Sequence, residues 1–315
     1  MHQDKEYRLI EFIERFLLLL VVILFISNIL WLAYWLKENK LFSNLQNNVS
    51  IVPPVRAQPA AVLESQNNPD ISAKSAVSIE FNSDLEGKIL FAKNDNDRLP
   101  IASLTKLMTA LIVIENYNLD KQIVISKDAM AQVGVQGVLK EGQVLSVKNL
   151  LYITLIESSN RAAYALSSQI GESNFVALMN KKADEIGLYD THFEDSTGLS
   201  GNSYSTADDL AKLSGYIFFN YPLFGKIVGL KDYNLYLSDG SLHHMLQNTN
   251  ELLGKNGIVG GKTGYTEEAK GCFMAIQQKA DKYLIYVILG ADDRFSEMEK
   301  LIQKVANLEY QVSIK

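Results

Sequence analysis

Residues 101–110, IASLTKLMTA, read as the opening of an apolar helix that nevertheless keeps a lysine, Lys106, beside Leu107 and Met108. Ser103 and Lys106 are three residues apart, a spacing that puts both side chains on one helical face within reach of each other. Pro100 precedes the segment, so Ser103 is expected in the first turn, where unpaired N–H groups and the positive end of the helix dipole favour developing negative charge. A serine hydroxyl is a poor nucleophile until a base takes its proton, and a lysine whose ammonium is disfavoured by burial can serve. No other serine in the chain has a lysine three positions later. Taken alone, a surface lysine with its stem along the helix and its head in water gives the same triplet.

Working outward, Glu157-Ser-Ser-Asn-Arg161 lies between the apolar LLYITLI and the helical RAAYALSSQI. Ser158 and Asn160 would project from a short inter-helix loop, although serine and asparagine also cap helices everywhere. Ser-x-Asn recurs at 65–67 and 200–202, so its position between two apolar helices is what distinguishes it. Gly260-Gly-Lys-Thr-Gly-Tyr265 places glycines around a cation and a hydroxyl on a predicted strand. Glycine there admits a ligand or a second backbone. Lys262 and Thr263 would then offer a charge and a hydroxyl to a carboxylate. A phosphate loop is the rival reading, but it requires a glycine where Asn256 stands and a helix where Gly264 follows.

The chain has 315 residues and a net charge of −6 without a basic run, so it has room for a large core and no footprint for nucleic acid. Cys272 is the only cysteine, which excludes an intramolecular disulfide and zinc patterns built on paired Cys. Alternation with Met274 and Ile276 marks it as a buried, inert thiol. His243 and His244 follow an Asp239-Gly240 turn and read as part of a surface hairpin rather than a metal site. No metal or cofactor is expected. No Gly-x-Ser-x-Gly occurs, and the four histidines give no place for a Ser-His-Asp relay.

Phe16 to Leu36 runs 21 residues without a charge, long enough for one transmembrane helix. Trp31, Tyr34 and Trp35 would form an interfacial belt at its far end, and Lys5, Arg8 and Arg15 before the span against Lys37 and Lys40 after it favour an inner N-terminus. Residues 37–75 turn to Asn, Gln, Ser, Ala and Pro and read as a linker. The expected organisation is a cytoplasmic tail at 1–15, an anchor at 16–36, the linker, and one folded domain at 76–315. Within it, a hairpin of 76–82 and 88–93 turns around Asp84 and Gly87. Helices follow, one capped by Ser173 and one by Ser205 or Thr206. Strands at 257–263, 271–278 and 283–291 and a final amphipathic helix close the domain. Strands at both ends with helices between predict an α+β domain whose antiparallel sheet is built from the two ends, flanked by helices and carrying a helical subdomain.

SxxK, SxN and KTG in this order resemble the serine penicillin-recognising enzymes. More narrowly, ASLTKLMTA at 102–110, GQVLSVKNLLY before SxN, THFEDSTGL at 191–199, YSTADDLAKL at 204–213, NTNELLG at 248–254 and GGKTGYT at 260–266 are similar to the low-molecular-mass penicillin-binding proteins that act as D-alanyl-D-alanine carboxypeptidases. The resemblance covers roughly residues 75–312. It implies the β-lactamase/transpeptidase-like fold, Ser103 as nucleophile, Lys106 as proton acceptor and Ser158 as proton relay toward the leaving D-alanine. Asn160 would hold the substrate amide and the lysine; Lys262, Thr263 and Gly264 would receive the terminal carboxylate. Backbone N–H groups of Ser103 and Tyr265 would form the oxyanion hole. It further implies peptidoglycan stem peptides ending in D-Ala-D-Ala as substrate, acylation by β-lactams, no nucleic acid partner, and a catalytic domain held outside the cell membrane by the single-pass N-terminal helix. An endopeptidase would share every motif. A β-lactamase would need an acidic deacylation loop between SxN and KTG, and none is evident. A non-catalytic wall-binding module and a nucleotide hydrolase complete the alternatives. Two departures are noted: Arg161 follows Asn160 where many members carry an acid, placing a cation at the cleft edge, and GLSGNSYS lacks a histidine that relatives often place before Tyr-Ser-Thr.

Overall fold

The computed structural model describes residues 70–81, 87–134 and 136–313. The expected tail, anchor and most of the linker, and the turn around Asp84, lie outside the described residues. Among the described residues no helix is long and apolar enough to cross a membrane.

Strands β1 (Ser75–Phe81) and β2 (Gly87–Lys93) form the expected hairpin. After β3 (Leu99–Pro100) and a 3-10 turn at Ala102–Leu104, helix α1 runs Thr105–Asn116. The helical part continues through β4 (Gln122–Val124), α2 (Lys127–Ala131), β5 (Val144–Ser146), α3 (Val147–Ile156), α4 (Asn160–Ser167) and α5 (Glu172–Glu185). Then come β6 (Tyr204–Ser205), α6 (Ala207–Asn220), α7 (Pro222–Val228) and a hairpin of β7 (Asp232–Tyr236) and β8 (Leu242–Gln247). Strands β9 (Ile258–Thr266), β10 (Lys270–Lys279) and β11 (Lys282–Ala291) lead into α8 (Arg294–Ser313).

The main sheet is antiparallel with strand order β2-β1-β11-β10-β9, so the two ends of the domain do make one sheet. Ser75 pairs Leu289 and Phe81 pairs Tyr283 across the β1–β11 seam. Both faces are covered, and the two-residue period of a strand sorts side chains between them. Cys272, Met274, Ile276, Ile285, Val287 and Leu289 join the core under the central helices. Their neighbours Phe273, Ala275, Leu284, Tyr286 and Ile288 pack with Met298, Leu301 and Val305 of α8. Burial raises the Cys272 thiol to about 12, which keeps it protonated and inert as expected.

Two local expectations change. Ser173 does not cap its helix: α5 begins one residue earlier, at Glu172, behind Gly171 at φ +84°, a conformation glycine adopts at no steric cost, and Glu172 occupies the first turn. Thr206, the second of the two caps considered for α6, accepts from Asp209 N at 3.0 Å. The folded domain also takes in residues assigned to the linker, since Ile71 and Ala73 are buried against α8. Glu297 of α8 holds this entry in place, its Oε2 accepting from Ser72 N at 2.6 Å and Ala73 N at 3.0 Å. Burial pushes that carboxyl up, but these bonds and Lys300 outweigh it and hold it below its ordinary value.

Glu297→Ala is therefore expected to remove about 1–3 kcal/mol, read as a fall in melting temperature of about 2–4 °C per kcal/mol for a domain of this size. Because the folded-state value is the depressed one, the contribution is present above the unfolded carboxylate range and fades as pH drops below about 4.

Candidate active site

Ser103 sits in the 3-10 turn that feeds α1, ahead of the expected position inside the α-helix. Lys106 follows in the first turn of α1, three residues on, and Ser103 Oγ accepts from its Nζ at 2.9 Å. The turn starts at Ala102, whose φ of +47° is costly for a residue with a Cβ. Gly198, at φ +80°, lies so close that a Cβ there would stand 1.9 Å from the Ala102 carbonyl oxygen.

Lys106 is fully buried, and its Nζ donates to Asn160 Oδ1 and to the Thr197 carbonyl, both at 2.6 Å, besides Ser103. Burial lowers its pKa to about 7, against a smaller opposing pull from Asp195. Near neutrality a large share of the molecules thus carries a free amine beside the hydroxyl, which is what a base for Ser103 requires.

The Ser-x-Asn segment lies where α3 stops and α4 starts. Ser158 has φ +62°, and Ser159 caps α4 by accepting from Ala162 N at 3.3 Å. Ser159 Oγ also donates to Gln136 O at 2.8 Å, and Asn160 Nδ2 donates to Val133 O at 2.9 Å. Arg161 is half-buried, with Nε donating to Gln132 O at 3.3 Å, so its stem braces the same stretch of chain that leads from α2.

Lys262, on edge strand β9, is likewise buried and donates to Ser158 Oγ at 2.6 Å and Thr263 O at 2.7 Å. Burial first, then the positive charges of Lys106 and Arg294, push its pKa well down. A carboxylate placed beside it would act in the opposite direction and favour the ammonium form. Thr263 Oγ1 shares a 2.7 Å bond with Thr249 Oγ1. A Cβ on Gly264 would stand 3.0 Å from Ser103 N and 3.2 Å from Ile101 O, so glycine is what lets β9 reach the serine turn. Tyr265, next along the strand, is half-exposed at 51%. Ser103, Lys106, Ser158, Asn160, Lys262, Thr263 and Gly264 therefore meet in one place.

Three contributors were given no role in the sequence reading, although two of them, Asp195 and Ser196, lie in the THFEDSTGL stretch. Asp195 accepts from Thr197 N at 2.6 Å, Thr197 Oγ1 at 2.8 Å and Ser200 N at 2.6 Å, folding the loop that presents the Thr197 carbonyl to Lys106. Those bonds, against burial, keep its carboxyl below the usual value. Asp-Ser-Thr-Gly is the signature of such an Asx turn, so it was available in the sequence. Ser196 holds the loop from behind: its N donates to Glu172 Oε1 at 2.8 Å and its carbonyl accepts from Thr109 Oγ1 at 2.6 Å. Arg294, at the start of α8, has a buried Nε without a hydrogen-bond partner and a charge felt at Lys262. His243 and His244 lie on β8 of a hairpin, as expected, but half-buried. Among the described residues no group of His, Cys, Asp and Glu is arranged to hold a metal ion.

A serine with a dehydrated amine at a helix start, flanked by a Ser-x-Asn loop and a Lys-Thr-Gly edge strand, has the make-up of an acyl-transferring serine enzyme. Residues 62–293 match the D-alanyl-D-alanine carboxypeptidase family, and the chain belongs to it. It is 37% identical over 243 residues to the D-alanyl-D-alanine carboxypeptidase DacF of Bacillus subtilis, covering 73% of this chain and 61% of that protein, so it spans less than two thirds of that relative's length. It is 29% identical over 254 residues to the D-alanyl-D-alanine endopeptidase of Escherichia coli, covering 79% and 80% respectively. Among solved structures, the Streptomyces K15 DD-transpeptidase superposes with a TM-score of 0.70 at 29% identity, over 78% of this chain and 99% of that one.

Two outcomes follow from the geometry. Acylation of Ser103 by a penicillin should rise with pH through about 7 and level off above it, since only the free Lys106 amine accepts a proton; labelling rates measured across that range test this. Gly264→Ala must push apart two backbones already in contact by a few tenths of an ångström; since a misplacement of about 1 Å can cost about 100-fold in rate, labelling slower by roughly tenfold is the expected outcome.

Proposed function

We propose that this protein is a serine-type D-alanyl-D-alanine carboxypeptidase that removes the terminal D-alanine of peptidoglycan stem peptides through an acyl-enzyme. The observation that carries the reading is the buried Lys106 amine 2.9 Å from Ser103 Oγ. Ser103 Oγ attacks the carbonyl carbon of the penultimate D-alanine while its proton passes to Lys106 Nζ. The N–H groups of Ser103 and Tyr265 take the oxyanion, a duty favoured by the closeness of Gly264 to Ser103 N. The proton taken up by Lys106 is relayed through the Ser158 hydroxyl, which accepts from Lys262 Nζ at 2.6 Å, to the nitrogen of the departing D-alanine as the C–N bond breaks, so Lys106 and Ser158 both return to their starting states. Water then attacks the ester and releases the shortened peptide, returning the proton to Ser103.

Substrate recognition follows from the same surfaces. β9 is an edge strand, so an extended peptide can pair with its free backbone groups. Lys262 and Thr263, with the positive charge of Arg294 felt at Lys262, suit the terminal carboxylate, whose negative charge favours the ammonium form of Lys262. β-Lactams acylate Ser103 as substrate mimics. In this reading residues 16–36 anchor the protein, with the N-terminus inside and the catalytic domain outside the membrane, and 37–69 act as spacer.

Cross-link cleavage is the second reading, favoured by the coverage of the endopeptidase relative, whose length this chain matches more fully than that of the Bacillus carboxypeptidase. The decisive comparison is digestion of a monomeric pentapeptide against a cross-linked dimer, with release of free D-alanine from the monomer as the expected dominant activity. A fluorescent penicillin should label the protein stably, and Ser103→Ala should abolish labelling while leaving the fold intact by circular dichroism. Labelling that survives this substitution would remove Ser103 as the nucleophile.

A further inference from the structure

Ser158 has two unusual requirements: a left-handed backbone, φ +62°, and a hydroxyl aimed at Lys262. Such a conformation persists only where its surroundings over-determine it. One anchor precedes it by two residues, where the Ile156 carbonyl accepts from Thr249 N at 3.2 Å. Immediately before it, Glu157 N donates to Ile153 O at 3.3 Å, ending α3. The Glu157 side chain turns toward the β7–β8 hairpin, where its Oε2 accepts from His244 Nε2 at 3.1 Å. Both side chains are only 14% exposed, so this is a contact with little water to replace it. The other ring nitrogen of His244 faces His243 Nδ1, which fixes the imidazole from its far side. A continuous chain of contacts thus runs from β8 through Glu157 to the residue that meets Lys262.

We infer that His244 is a positioning residue for Ser158: held by His243, it fixes Glu157 and thereby the backbone turn that brings Ser158 Oγ to Lys262 Nζ. It touches neither nucleophile nor substrate and acts through the loop alone. The inference rests on the proposed acylation of Ser103 and adds a specific dependence on the hairpin, a part of the molecule that none of the three motifs includes.

The experiment is a double-mutant cycle on the rate of acylation by a fluorescent penicillin, using the full chain. His244→Ala should slow acylation about tenfold, and His244→Gln, whose amide N–H can still donate to Glu157, should recover to within about threefold of the parent. In a Ser158→Ala background the further change to His244→Ala should alter the rate by less than about twofold, because the group it positions is gone. An undiminished penalty in that background, or a parental rate for His244→Ala, overturns the inference. Should His244→Ala fail to fold, Glu157→Leu with and without Ser158→Ala reads the same coupling with the same two outcomes. A parent protein that shows no Ser103-dependent labelling would instead remove the enzymatic reading, and this inference with it.

Discussion

The arrangement depends on keeping one amine dry. Lys106 is fully buried, and its three hydrogen bonds go to a hydroxyl, an amide oxygen and a carbonyl. None of these partners carries a full negative charge, so burial is not offset as it would be in an ion pair, and the proton is held loosely. The partners come from three separate parts of the chain, and each is held by its own support: the 3-10 turn by Gly198, Asn160 by the cap at Ser159, and the Thr197 carbonyl by Asp195.

Local strain recurs where the chain meets this amine. Ala102 and Ser158 both have positive φ without being glycine, and each directly adjoins or constitutes a residue of the serine-lysine constellation. A backbone in this region costs of order 1–3 kcal/mol and has to be supported by its neighbours. The packing of α1, α3 and α4 supplies that support, which ties the fine geometry of the site to the integrity of the helical core.

Much of this was legible beforehand, because the chemistry is written in side chains whose spacing matches a local period. Ser103 and Lys106 could be paired through a three-residue repeat, and the strands through alternation, as in Cys272, Met274 and Ile276. Ser158 and Lys262 could be related only through family resemblance, since 104 residues separate them in sequence. What escaped was carried by backbone groups and by conformations. The Thr197 carbonyl has no residue type to betray it, and the start of α5 was set by the φ of Gly171 rather than by the better cap residue Ser173. Arg294 was hidden for another reason: its helix was recognised from its apolar stripe, which draws attention away from the first residue. The linker boundary was missed because Ile71 and Ala73 are isolated apolar residues whose burial requires α8, more than two hundred residues later.

The β1–β11 seam has a consequence for biosynthesis. The first strand of the domain finds its second neighbour only in the last strand, with Ser75 opposite Leu289, and β10 and β9 join the sheet through that late strand. Contacts so distant in sequence close slowly. While the polypeptide is still emerging, the serine turn has no finished sheet to rest on. The serine turn and the Lys-Thr-Gly strand are therefore held together by a sheet that is complete only when the tail end of the domain has been delivered.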